Sequence, residues 1–83
     1  MNGTGPDRLH AIADAIAEHL EHHPLAADTA DGVAMWWLGT RAAGATLEQV
    51  ERALALLVAR GRLRASTLGD GRVLYGPPVQ PRQ

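Results

Sequence analysis

The chain has 83 residues, no cysteine and no lysine, and its eight arginines against nine acids give a formal net charge of −1. A chain of this size builds one modest core, burying roughly 60–65% of the surface its unfolded form exposes. The missing cysteine excludes disulfides, thiolate metal sites and cysteine nucleophiles, and the near-balanced charge excludes a general field for nucleic acid, leaving that role to a local basic patch. The apolar share of 46% leans on Ala and Leu, with two Trp, one Tyr and no Phe, a composition that favours helix. The most apolar stretch, Ala53 to Ala59, is far too short to span a bilayer, and MNGTGPDRLH lacks the pattern of a signal peptide. A cytoplasmic protein of bacterial type is the expectation.

Residues 1–6, MNGTGP, and residues 77–83, PPVQPRQ, are rich in Gly, Pro and small polar residues and predict disordered tails around a single domain over 7–76. Within that domain Asp7 is placed to cap a first helix whose Leu9, Ile12, Ala13, Ile16 and Leu20 recur on one face. Pro24 ends it, because proline lacks an amide hydrogen and crowds the preceding residue out of helical conformation. A second, shorter helix starts near Asp28 or Thr29 and runs through VAMWWL to Gly39. The segment GTRAAGA is a turn. The sequence TLEQ then forms a capping box in which Thr46 bonds the amide of Gln49 and the Gln49 side chain reaches back. Leu47, Val50, Leu54, Leu57 and Val58 give the third helix a strong apolar face, and Gly61 ends it. Beyond it RLRAST and RVLY alternate like strands and flank LGDG, a tight-turn signal, so a β-hairpin is predicted with Leu63, Ala65, Val73 and Tyr75 inward.

Three helices followed by a hairpin, with TLEQVERALALLVARGRLRASTLGDGRVLY as the most telling stretch, resemble the winged helix-turn-helix superfamily over about residues 8 to 76. The third helix carries the pattern at Val50, Ala53, Leu54 and Leu57. Gly61 and Leu63 open the first wing strand, Gly69, Asp70 and Gly71 form the wing tip, and Tyr75 closes the returning strand. The resemblance implies a mainly α, α+β winged helix fold with a two-stranded β-hairpin wing. It does not fix a function, since the superfamily contains both DNA readers and protein-binding modules. The turn GTRAAGA is longer than the common helix-turn-helix connection, which loosens any carry-over of the DNA-docking geometry.

Four features are candidates for function. The outward side of the third helix carries Glu48, Gln49, Glu51, Arg52, Ala55, Leu56 and Ala59; Gln49 and Arg52 are base-reading types, but two carboxylates repel phosphate. Arg60, Arg62, Arg64 and Arg72 gather half of the arginines near the wing, where Arg62, Arg64 and Arg72 point outward and either hold anions or keep a hairpin edge soluble. Adjacent Trp36 and Trp37 diverge by about 100° on a helix, so one narrow face cannot bury both rings. The pattern of second helices in the superfamily puts Val33, Ala34 and Trp37 inward and Met35 and Trp36 outward; the competing arrangement covers both rings with the long turn. His10, His19, His22 and His23 include an i, i+4 pair, but two imidazoles do not make a metal site, and no metal or cofactor is expected.

No glycine-rich phosphate loop, nucleophile elbow or zinc helix motif occurs, and Ser66 is the single serine, so no catalytic residue is expected. Two function classes remain. In one, the domain is a non-catalytic adaptor or accessory subunit that docks another protein through Met35, Trp36 and Leu56, with Arg62, Arg64 and Arg72 as a charged rim that suits an acidic partner. In the other, it is a small transcriptional regulator, acting as a monomer or a homodimer, that contacts DNA with Gln49, Arg52, Arg62, Arg64 and Arg72.

Overall fold

The computed structural model describes residues 6–39, 42 and 44–78. The tails 1–5 and 79–83, together with Thr40, Arg41 and Ala43 of the long turn, lie outside the described residues. The elements are α1 (Pro6–His22), α2 (Ala30–Gly32), a π turn that continues it (Val33–Trp37), α3 (Leu47–Ala59), β1 (Arg64–Thr67) and β2 (Val73–Gly76). Three helices followed by an antiparallel hairpin give a small α+β domain with a winged helix layout.

Helix α1 begins at Pro6, so Asp7 lies within its first turn and not at the position before it. Proline suits the first helical position, where its missing amide hydrogen would have had no intrahelical acceptor. The helix buries Ile12, Ala13, Ala15 and Ile16 against α3, which contributes Val50, Ala53, Leu54 and Leu57. Helix α3 starts in the capping box: Gln49 N donates to Thr46 Oγ1 at 3.1 Å and Thr46 N donates to Gln49 Oε1 at 2.9 Å. It ends in a Schellman turn, with Gly61 at φ 72°, Gly61 N donating to Val58 O at 3.0 Å and Arg62 N to Leu57 O at 2.8 Å. That turn aims the chain so that Leu63, 3% exposed, closes the core before β1 begins.

The hairpin pairs Arg64 with Gly76, Ala65 with Tyr75, Ser66 with Leu74 and Thr67 with Val73. Its loop closes between Leu68 and Arg72, where Leu68 N donates to Arg72 O at 2.7 Å, and Gly71 takes φ 91°, the left-handed conformation such three-residue loops require. The ribbon has a third partner that periodicity could not reveal. Asp28 N donates to Tyr75 O at 2.9 Å and Tyr75 N donates to Asp28 O at 2.7 Å, so β2 lies between β1 and the chain that enters α2. The expected inward placement of Ala65 fails. The ribbon leaves the helical body after Leu63, so Ala65 and Thr67 are exposed while Val73 and Tyr75 on the inner strand are half-buried. Pro77 and Pro78 are also half-buried and line one depression with Ala17, Leu20 and Leu57.

Candidate functional site

Among the described residues the exposed large apolar side chains are Leu25 in the loop after α1, Met35 and Trp36 in the π turn, and Leu47 at the start of α3. Thr29 caps α2: its side chain accepts from Gly32 N at 3.3 Å, and its own amide donates to Asp28 Oδ1 at 2.8 Å. The five residues that follow are wound with i→i+5 hydrogen bonds, a wider turn than the α-helix, which brings residues i, i+4 and i+5 to one side. Val33, Trp37 and Leu38 are all buried as a result. The same winding sends Met35 and Trp36 outward, 69% and 72% exposed, next to a Trp37 that is only 6% exposed.

Beside this patch runs a groove of about 240 Å³ between α2, α3 and β2. Thr29, Ala30, Asp31, Leu47, Glu51, Arg72, Val73 and Tyr75 line it. Leu56, expected to be a displayed anchor, is instead half-buried against the core. The apolar face of α3 is wide enough to include it beside Ala53 and Leu57, so Leu56 is removed from the candidate docking residues.

The candidate DNA-contacting residues are mostly engaged within the chain. Gln49 spends its carbonyl oxygen on the α3 cap. Arg52 Nη2 meets Glu48 Oε2 at 3.1 Å, and Arg72 Nε meets Asp70 Oδ2 at 2.8 Å. Asp70 also accepts from the Arg72 amide at 3.0 Å; the backbone bond first and the guanidinium second hold its carboxyl below the usual range. Arg62 and Arg64 are exposed. Arg62 borders a depression with Leu20, Glu21 and the two prolines, whereas Arg72 borders the groove beside α3, so these two arginines line different depressions.

The end of α1 carries the histidines. His19 stacks on the buried Trp37 with ring centroids 4.6 Å apart and planes inclined at 19°, and His23 lies 4.6 Å from His19 on its other side. His22 Nδ1 donates to Glu18 O at 3.0 Å. Among the described residues no group of three or more His, Cys, Asp or Glu is arranged to hold a metal ion. Burial first, then the nearby His23 and His22, push the His19 pKa below its ordinary value of 6.5. The folded protein therefore favours the neutral ring, and the unfolded chain takes up its proton first as pH falls. This contribution to stability is complete above about pH 6.5, the unfolded value, and is lost as the pH drops from there through the lower pKa of folded His19. His19→Gln should flatten the decline in the urea midpoint between neutral and mildly acidic pH; an unchanged decline would assign it to other groups.

Among the described residues no helix is long and apolar enough to cross a membrane. No family model, curated protein or solved structure matches the chain.

Proposed function

We propose that the chain is a non-catalytic winged helix module that docks another protein, and that it works in the cytoplasm. The observation that carries the reading is the exposure of Met35 and Trp36 side by side on a segment whose other large side chains are consumed by the core. An exposed indole with a neighbouring methionine is a typical binding anchor, because both bury much area on contact at small cost in polar desolvation. Arg62 and Arg64, exposed on the wing, are available to acidic groups.

The regulator reading is weaker on electrostatic grounds. Glu48 and Glu51 stand exposed on α3, the helix that would enter the major groove, and Gln49, Arg52 and Arg72 already have partners. Each would have to break an existing bond to contact DNA, while the carboxylates would face phosphates.

Fluorescence anisotropy of labelled non-specific duplex DNA, titrated at low and moderate salt, separates the two. The docking reading expects no saturable binding even at low salt, where electrostatic attraction is greatest. Micromolar binding that weakens steeply with salt would establish the regulator instead. In a parallel pull-down, Trp36→Ala should retain the fold and lose the captured protein; capture unchanged by this substitution removes Trp36 from the contact.

A further inference from the structure

Resting on the docking reading, we infer that the groove beside Met35 and Trp36 receives a basic side chain, lysine or arginine, carried on an apolar segment of the partner protein. The charges decide this. Asp31 and Glu51 border the groove from α2 and α3, and among the described residues neither has an ion pair. The basic residue on its border, Arg72, directs its Nε to Asp70, and Arg52 on the same helix as Glu51 is held by Glu48. These two pairs are each neutral, so the groove keeps the two carboxylate charges of Asp31 and Glu51. A Debye length of about 8–10 Å screens the more distant arginines, so the local sign governs what enters.

The apolar features fit the same occupant. Leu47, Val73 and Tyr75 supply the groove with apolar surface. Met35 stands four residues, one helical turn, beyond Asp31, so the apolar patch borders the acidic groove on that side. A segment that places apolar residues on Trp36 and Met35 therefore carries its neighbouring side chain to the carboxylates. A basic group is attracted there, and an acidic one is repelled.

The test uses two fluorescein-labelled amphipathic peptides, one of leucine and lysine and one of leucine and glutamate, titrated with the full chain at physiological ionic strength, where the screening of the distant arginines holds. Wild type should bind the lysine peptide more tightly than the glutamate peptide. In D31N/E51Q that preference should fall on the order of tenfold, while D14N/E21Q, which removes the same charge from exposed positions on α1, should leave it nearly intact. Circular dichroism checks that each variant is folded. Three results overturn the inference: no preference in wild type, a preference untouched in D31N/E51Q, or an equal loss in D14N/E21Q, which would assign it to net charge. Trp36→Ala keeps the two proposals apart. If it weakens both peptides while D31N/E51Q changes nothing, docking stands and the basic occupant falls. If it weakens neither while D31N/E51Q removes the preference, the groove stands and docking through Trp36 falls.

Discussion

Leu54→Ala should lower the free energy of unfolding by roughly 2–5 kcal/mol, the largest loss expected from removing an aliphatic side chain in this protein. Leu54 has no exposed surface and lies where α3 packs on Ile12 and Ile16 of α1. The loss combines the transfer energy of the deleted methyl groups with the cost of a cavity that two helices, each committed to other contacts, close only in part. A domain of this length has a total stability of about 4–12 kcal/mol, so the variant should be marginal or unfolded at room temperature. Urea unfolding followed by circular dichroism measures it, with the midpoint falling and the slope unchanged. A loss below about 1 kcal/mol would mean that the α1–α3 contact is not the centre of the core.

The adjacent tryptophans should separate just as sharply. Trp37→Ala removes a buried ring and its stack with His19, and should cost about 3–5 kcal/mol. Trp36→Ala removes a ring that is 72% exposed and should change stability by no more than about 0.5 kcal/mol. The same urea titration reads both variants, and fluorescence gives an independent view: the emission of Trp36 should be that of a solvated indole. Equal costs at the two positions would mean that Trp36 is covered in solution, and the docking proposal would lose its central observation.

The consequences for function follow from this asymmetry. A small domain with one core has few large apolar side chains to spare, and two of those it leaves in solvent, Met35 and Trp36, are neighbours. They cost the fold little to keep exposed, yet they offer a partner most of the apolar area on that side of the molecule. The acidic residues beside them set the charge such a partner should carry, whereas the wing arginine Arg64 lies on the other face of the hairpin from Val73 and Tyr75. The module thus has two chemically different surfaces, and removing charge from one should leave the other unaffected.

Much of the architecture was legible in the residues themselves. The three helices and the hairpin follow from apolar periodicity, the Thr46–Gln49 capping box, Pro24 as a stop, and glycines at Gly61 and Gly71 where the chain turns with positive φ. These are local interactions, and local geometry is what a linear pattern encodes. What only the tertiary structure decided depends on contacts between distant segments. The Asp28–Tyr75 bridge is one residue long and has no period to detect. The π turn arises where Val33, Trp37 and Leu38 must all reach one core, a demand set by α1 and α3 and absent from the segment's own propensities. Leu56 is drawn inward because α3 buries a broad face, and Ala65 stays outside because the ribbon extends past the helices that would have covered it. The same holds for the candidate site: exposed indole, acidic groove and engaged arginines acquire their meaning from which residues the fold brings together, since burial and electrostatic pairing are properties of the packed chain.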